Sequence, residues 1–168
     1  MKLGYSPVGP TSKMYTIKPA IVEDAVTMLD LQRLAFAEEG RRCGTRDIPP
    51  LTEALDAVIE DVREQTAFIA RDNDKIIGTR RGIVRGRVCT VRALAVDPAN
   101  QGRGIGSALL DALERALPDV AQFNLTTNTL MEGNVPFYER RGYRVTEFTR
   151  HSEVVTLAQM TKFVDRAA

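Results

Sequence analysis

One stretch of the chain, residues 94–107, constrains its fold more than any other. It reads LAVDPANQGRGIGS: an apolar, strand-like start, then Asp97-Pro98 as a stop, then three glycines, then the beginning of an amphipathic helix. A helix N-terminus presents unpaired N–H groups and the positive end of the helix dipole. Glycines allow positive φ and let an anion approach without a Cβ in the way. The stretch therefore predicts a strand–turn–helix unit that binds an anion, with a plain glycine-rich turn as the alternative.

Two common nucleotide-binding motifs fit this stretch poorly. A P-loop needs a lysine followed by serine or threonine after its last glycine, and that pair does not occur here. A dinucleotide fingerprint needs a third glycine where the chain has Ser107, and it belongs to the first strand–helix turn of a domain. The turn in this chain lies two-thirds of the way along it, which disfavours an NAD(P)-binding protein.

Hydrophobic periodicity predicts alternating helices and strands. The predicted helices cover residues 21–39, 53–62, 104–117 and 135–141, and the predicted strands cover residues 15–17, 67–70, 75–78, 87–96, 123–126, 143–149 and 153–162. We expect Gly40 to end the first helix, Pro49-Pro50 to close a polar loop, and Thr52 to cap the second helix. This order predicts an α/β or α+β fold, a sheet covered by helices.

Length and composition narrow the class of protein. At 168 residues, 43% apolar and 27% charged, the chain is typical of one globular domain, expected over residues 14–168 after a loose arm at 1–13. The arm has no export signal and no window approaches the roughly 18 apolar residues of a membrane span, so we expect a cytoplasmic protein.

Charge and cysteine content exclude two classes of binding protein. The chain has 23 basic and 22 acidic residues, and this near balance disfavours a duplex-DNA binder. Cys43, Cys89 and His151 are too few for a zinc site, and the thiols suit a reducing compartment.

Two motifs resemble those of a known family. Gln101-x-x-Gly104-x-Gly106, after the strand ending in Asp97-Pro98, is similar to motif A of the GNAT family of N-acetyltransferases. Residues 134–143 (NVPFYERRGY) are similar to the family's motif B. The spacing and the order of elements match as well, and the resemblance covers residues 15–162.

The resemblance implies a fold and a co-substrate. The fold is a mixed, mostly antiparallel sheet of six to seven strands with about four flanking helices, splayed where acetyl-CoA binds; no metal is implied. The pantetheine arm pairs with the backbone of Leu94 and Val96, and the pyrophosphate lies against the backbone of the glycine turn. The implied cofactor-binding residues are Leu94, Ala95, Val96, Gln101, Gly102, Arg103, Gly104, Ile105, Gly106, Ser107, Asn134 and Tyr138.

Tyr138 occupies the position of the motif B tyrosine, which relatives often use to protonate the leaving thiolate. A thiolate of pKa about 8.5 needs such a donor, and a phenol can supply the proton. The alternative is a packed aromatic side chain that only contacts coenzyme A. Many relatives carry an asparagine where this chain has Met131, and a subgroup matches the spacing Met131, Asn134, Tyr138, so Asn134 is a candidate hydrogen-bond partner of the cofactor.

The general base is not evident from the sequence. Many relatives carry a carboxylate on the strands leading to motif A, but residues 75–96 contain no acidic side chain and five arginines, at positions 80, 81, 85, 87 and 92. Glu38, Glu39, Glu60 and Asp61 are candidates for a remote or water-mediated base, and direct attack by an already neutral amine is the alternative. His151 falls in the predicted last hairpin and is interpreted as an exposed turn residue.

Charge is divided by region. Residues 20–65 hold eleven acidic and five basic side chains, whereas residues 75–103 hold seven basic and one acidic. In the family, the first two helices line the acceptor pocket, so an acidic wall would favour a cationic acceptor. The alternative is two ordinary solvated helix faces. Few aromatic residues accompany the arginines, so a nucleic-acid partner is disfavoured.

The sequence therefore predicts an N-acetyltransferase that moves acetyl from acetyl-CoA directly to a primary amine, on a small molecule, a protein N-terminus or a lysine. Such a reaction needs an oxyanion partner, for which the backbone N–H of Val96 is the candidate. The alternative is a non-catalytic acyl-CoA-binding regulatory module, favoured by the missing strand carboxylate. The acceptor is not identified, and a homodimer is left open because relatives often pair.

Overall fold

In a computed structural model of the chain, residues 14–64 and 66–165 are described; the expected arm at residues 1–13 lies outside them. Within these ranges the chain forms seven strands and five α-helices. The strands are β1 (Thr16–Pro19), β2 (Ala67–Asp72), β3 (Lys75–Arg85), β4 (Val88–Val96), β5 (Gln122–Asn128), β6 (Arg144–Arg150) and β7 (Thr156–Phe163). The helices are α1 (Ala25–Cys43), α2 (Pro49–Thr52), α3 (Leu55–Arg63), α4 (Ile105–Ala116) and α5 (Asn134–Glu139).

All seven strands form one sheet in the order β1-β2-β3-β4-β5-β7-β6. Neighbouring strands run antiparallel except β4 and β5, which are parallel and are connected through α4. The expected mixed, mostly antiparallel sheet is therefore confirmed. Four helices were expected and a fifth is present, because α2 is a single turn that the polar loop concealed.

Helices cover both faces of the sheet, and each face has its own hydrophobic core. The core beneath α4 contains Leu109 and Leu113 of the helix and Phe123 of β5. The core on the opposite face contains Met28 of α1 and Val58 of α3. Periodicity therefore identified the buried faces of α3 and α4. In the predicted first helix it did so only in part: Met28 is buried, but Ile21, Val22 and Leu34 of the same apolar spacing are exposed.

The first helix continues past its predicted end. Gly40 lies inside α1, and a Cβ there would come within 2.7 Å of Leu51 Cδ1, so the glycine allows α2 to pack closely against α1. Gly44, with φ 71°, ends the helix in the left-handed conformation that glycine adopts without a steric penalty. The prediction that Gly40 ends the helix is wrong because close packing, not termination, explains that glycine.

The segment before α3 also differs from expectation. Pro49 and Pro50 begin α2 instead of closing a loop, which suits proline because the first helical residues need no N–H partner. Thr52 does not cap α3: its hydroxyl donates to the Ile48 carbonyl at 3.3 Å, and the N-cap residue is Ala54. Glu53 points to the sheet, where it pairs with arginines.

The last hairpin agrees with the predicted strand order. β7 begins at Thr156, three residues later than predicted, because residues 151–155 form the turn, in which the His151 N–H donates to the Val155 carbonyl at 2.9 Å. His151 is exposed in this turn. None of the described helices has the length and apolar character to cross a membrane.

Candidate functional site

Strands β4 and β5 separate and open a cavity between them. They pair only at Val88 with Gln122, Cys89 with Phe123, and Thr90 with Asn124. Beyond this point the strands diverge around a cavity of about 1050 Å³, lined by residues 90–96 on one side and 125–128 on the other. The splay expected from the family resemblance is present.

A β-bulge in β4 lies at the mouth of the gap. Arg81 pairs with Arg92 while Thr79 pairs with Ala95, so Ala93 and Leu94 together stand opposite one residue of β3. Ala93 has φ 53°, in a region that side chains with a Cβ rarely adopt. A bulge bends its strand and increases the local twist. The bulge therefore turns β4 away from β5 where the cavity begins.

The open edge of β4 presents backbone groups to the cavity. The Asp97 N–H donates to the Ile77 carbonyl of β3 at 2.9 Å. Successive N–H groups of a strand point to opposite edges, so the N–H of Val96 points away from β3 and toward the cavity. No described strand pairs with this edge of β4 beyond Thr90. Such groups need a partner when water leaves, and an extended ligand with amide groups can provide one.

The glycine turn forms one end of the cavity. Gly102 and Gly104 both have positive φ, 79° and 76°, and α4 begins directly after them. The first bond of the helix runs from the Ala108 N–H to the Gly104 carbonyl at 3.0 Å, so the N–H groups of residues 105–107 have no partner within the helix. The residues of the turn that line the cavity are Gln101, Gly102, Gly104, Ile105, Gly106 and Ser107.

Arg103 differs from the other predicted site residues. Its guanidinium lies over the Tyr15 ring, 5.6 Å from the centroid, and its Nη1 is 3.3 Å from Asp72 Oδ2. The side chain does not line the cavity. The structure therefore places the charge of Arg103 on the outer side of the turn, where it holds the turn against β1 and β2.

Helix α5 closes the opposite side of the cavity and carries Asn134 and Tyr138. The half-buried Tyr138 ring packs edge-on against Phe137, with centroids 5.0 Å apart, and against Tyr143, at 5.8 Å. None of the hydrogen bonds among the described residues involves the Tyr138 hydroxyl, which leaves it available to a ligand. Asn134 Nδ2 donates to Thr127 Oγ1 at 3.0 Å, a contact that sequence reasoning missed because the partner is on another element.

On the other face of the sheet, α1 and α2 line the cavity with Ala35, Phe36, Glu39, Arg42, Pro49 and Pro50. Glu39 Oε1 accepts a hydrogen bond from Asn128 Nδ2 at 3.1 Å. Burial raises the pKa of Glu39, and the bond from Asn128 only partly offsets that. Sequence reasoning did not single out Asn128, because no local pattern marks the last residue of a strand as a carboxylate's partner.

The other three candidate bases lie elsewhere. Glu38 is on the exposed side of α1, where hydrogen bonds from Arg41 and Arg42 lower its pKa to about 2. Glu60 is exposed on α3, and Asp61 binds Arg81 Nη1 at 2.8 Å. Only Glu39 among the four lines the cavity.

The acidic residues of α1–α3 do not form an acidic wall. Arg81, 1% exposed, binds Glu53 and Asp61 and donates to Gln32 Oε1 at 2.7 Å. Arg92, which lines the cavity, also pairs with Glu53. The regional separation of charge seen in the sequence therefore becomes an internal ion network between the helices and strands β3 and β4.

A second, smaller cavity of about 360 Å³ adjoins the first. Six of its eight lining side chains are uncharged and polar: Thr90, Asn124, Thr126, Thr146, Gln159 and Thr161. Thr90, Leu125 and Thr126 line both cavities, so the second cavity lies beside the space between β4 and β5. None of the described residues forms a group of three or more His, Cys, Asp or Glu placed to hold a metal ion.

Comparison with known proteins agrees with this geometry. Residues 63–145 match the family described as the acetyltransferase (GNAT) domain. The chain is 27% identical over 96 residues to the uncharacterized N-acetyltransferase YjcF of Bacillus subtilis (strain 168). The alignment covers 57% of this chain and 66% of that relative, which is just under two thirds of its length.

Solved structures share the fold. The ribosomal-protein-S18-alanine N-acetyltransferase of Escherichia coli superposes with a TM-score of 0.75 at 20% identity, covering 92% of this chain and 96% of that one. Arabidopsis thaliana Naa50, in complex with the bisubstrate analogue CoA-Ac-MVNAL, superposes with a TM-score of 0.73 at 15% identity, covering 90% and 99%. At these identities the likeness concerns the fold.

Proposed function

Because the chain belongs to the GNAT family of N-acetyltransferases, we propose that it transfers an acetyl group from acetyl-CoA directly to a primary amine in the cavity between β4 and β5. The observation that carries the proposal is that the open edge of β4, the glycine turn and Tyr138 all line this one cavity. The amine belongs to a small molecule, a protein N-terminus or a lysine.

Acetyl-CoA fits the groups that the cavity presents. The other backbone groups on the open edge of β4 offer partners to the pantetheine amides. The free N–H groups at the start of α4 offer partners to the diphosphate, and the helix dipole favours its charge. A Cβ on Gly106 would be 3.5 Å from Phe137 Cζ and 3.6 Å from Leu94 Cδ2. Because glycine has no Cβ, this space at the N-terminus of α4 is open to the diphosphate.

The chemistry needs no covalent enzyme intermediate. The amine nitrogen attacks the thioester carbonyl and forms the C–N bond, and the negative charge on the carbonyl oxygen is stabilised by the Val96 N–H. Collapse breaks the C–S bond, and the Tyr138 hydroxyl donates a proton to the departing sulfur. The proton lost from the amide nitrogen then restores the phenol through solvent.

The alternative is a non-catalytic module that binds acyl-CoA. The absence of acidic residues from β3 and β4 favours it. The two functions differ in turnover: a module binds acetyl-CoA without releasing free thiol in the presence of any amine. We also place the reaction in the cytoplasm, since the unpaired Cys43 and Cys89 suit a reducing compartment.

Calorimetry with acetyl-CoA, followed by a thiol-release assay over a panel of primary amines, tests the proposal. We expect acetyl-CoA to bind and at least one amine to be acetylated. Tyr138→Phe should lower kcat by roughly 100-fold, the usual contribution of a general acid, while leaving acetyl-CoA affinity within twofold. His151→Gln, on the exposed hairpin, is the control and should keep the full rate.

Absence of any acetyl-CoA binding by folded protein would overturn the proposal. Tight binding with no turnover on any amine would favour the module instead.

A further inference from the structure

We propose that Glu39 is the carboxylate that binds the ammonium group of the acceptor and takes its proton before attack. This rests on the proposed function and adds to it the missing base. It also describes the acceptor: an amine that arrives protonated and is positioned by an anion on α1, not by a carboxylate on the strands.

The position of Glu39 follows from a fixed partner. Asn128, the last residue of β5, is 4% exposed, and its Oδ1 accepts the Leu130 N–H at 3.0 Å. That bond orients the amide so that Nδ2 faces α1 and donates to Glu39 Oε1 at 3.1 Å. Nδ2 also lies 3.2 Å from Cys43 Sγ. Asn128 is therefore a positioning residue that holds one carboxylate oxygen of Glu39 at the wall of the cavity.

The other carboxylate oxygen is available. Among the described residues, no hydrogen-bond donor contacts Glu39 Oε2, and no Lys, Arg or His forms an ion pair with Glu39. Glu38, Glu53 and Asp61 of the same region each bind at least one arginine. A half-buried carboxylate in a cavity without a cationic partner favours a ligand that brings the positive charge.

Burial raises the pKa of Glu39, which makes it a better proton acceptor than an ordinary glutamate. The charged groups that share the cavity walls are engaged or exposed. Arg42 binds Glu38 and the Leu130 carbonyl, and Arg92 binds Glu53. Glu132 and Arg140, at the two ends of α5, are exposed, so solvent screens their charges.

The proton balance is complete. The ammonium gives one proton to the Glu39 carboxylate, and the neutral amine attacks the thioester. Glu39 then releases that proton to solvent, while Tyr138 protonates the thiolate and is restored by the amide proton. The sum is one ammonium and one thioester converted to one amide, one thiol and one released proton.

Glu39→Gln tests the inference, because glutamine keeps the shape and can still accept the bond from Asn128. We expect kcat/KM at pH 7 to fall by roughly 100-fold or more, with acetyl-CoA affinity within twofold. The deficit should shrink as the pH approaches the pKa of the amine, since a neutral amine needs no base. The control is Glu60→Gln, an exposed carboxylate on α3, which should keep the wild-type rate and pH profile.

The outcomes separate this inference from the proposed function. If wild-type protein acetylates an amine and Glu39→Gln keeps its rate, or shows the same proportional loss at every pH, the assignment of Glu39 is wrong and the proposed function stands. A variant that loses acetyl-CoA affinity would also overturn the assignment, because Glu39 would then support the cofactor site. If wild-type protein turns over no amine, both fail together.

Discussion

Two neighbouring glutamates on α1, Glu38 and Glu39, have opposite environments, and this difference decides which of them is the proposed base. Successive helical residues are rotated by about 100°, so Glu38 faces solvent and two arginines whereas Glu39 faces the cavity and Asn128. The sequence supplies both glutamates as candidate bases. Only the rotation of α1 against the sheet distinguishes them, and that rotation depends on how Met28 and its neighbours pack in the core that α1 shares with α3.

Ala93 shows a single residue held in an unfavourable conformation. A left-handed backbone costs a residue with a Cβ about 1–2 kcal/mol, and Ala93 adopts one, with φ 53°, in the bulge of β4. Backbone strain of this kind is common at functional sites. Here the bulge turns β4 away from β5.

We expect Ala93→Gly to change the free energy of unfolding by between 0 and about +1 kcal/mol, because relief of strain exceeds the added entropy of the unfolded chain. Ala93→Val should lower it by more than about 1 kcal/mol, because a β-branched side chain adopts positive φ with difficulty. Urea unfolding measures both. A glycine variant less stable than wild type by 1 kcal/mol would show that Ala93 is not strained.

At the scale of elements, the β4–turn–α4 unit combines two kinds of glycine. Gly104 has φ 76° and is required by the backbone itself. Gly106 does not have positive φ, and a Cβ there would make only ordinary contacts, the nearest at 3.5 Å from Phe137 Cζ. The fold therefore requires Gly104, whereas the proposed binding of the diphosphate requires Gly106.

This difference makes a paired prediction. Gly104→Ala should lower the free energy of unfolding by about 1 kcal/mol through backbone strain. Gly106→Ala should leave stability unchanged or slightly higher, since alanine is the better helix former, but should weaken acetyl-CoA binding at least tenfold, about 1.4 kcal/mol. Thermal unfolding and calorimetry separate the two effects. Unchanged acetyl-CoA affinity in Gly106→Ala would place the diphosphate elsewhere.

At the scale of the whole molecule, an ion network joins the helices that line the cavity to the sheet. Burial alone would raise the pKa of Glu53, but hydrogen bonds from Arg81 and Gln32 and the charges of Arg81 and Arg92 together hold it below its usual value. Because its pKa is lower in the folded chain, the ionised form of Glu53 stabilises the fold.

Glu53→Gln should lower the free energy of unfolding at pH 7 by about 2–3 kcal/mol, less than the full cost of breaking a buried pair because Arg81 keeps Asp61. The stabilisation by Glu53 is fully present above its unfolded pKa of about 4.3. It is lost as the pH falls through the lower folded pKa, so the two proteins should begin to converge in stability once the pH falls below about 4.3. Urea titrations across this range measure it.

The control for Glu53→Gln is Glu64→Gln, at the exposed end of α3, where a surface substitution should change stability by less than about 0.5 kcal/mol. An equal effect of the two variants would contradict the proposed contribution of the network.

Local patterns determined much of this protein. The order of helices and strands apart from α2, the buried faces of α3 and α4, the glycine turn and the motif around Tyr138 were evident from the sequence, because periodicity and turn chemistry depend on residues close in the chain. Errors occurred at Gly40 and Thr52. Packing between α1 and α2 explains Gly40, and the Thr52 hydroxyl donates to the Ile48 carbonyl instead of capping α3.

Tertiary structure alone decided which charges reach the cavity. Asn128 and Glu39 are 89 residues apart, and Arg81 and Glu53 are 28 apart. Arg103 turned outward to Asp72, and Arg81 and Arg92 paired with Glu53 and Asp61. Such pairs form across the sheet, where burial makes an unpaired charge costly, and their geometry depends on how every element packs. For that reason the sequence indicated the glycine turn as the predicted cofactor site, and only the fold distinguished Glu39 from the other candidate bases.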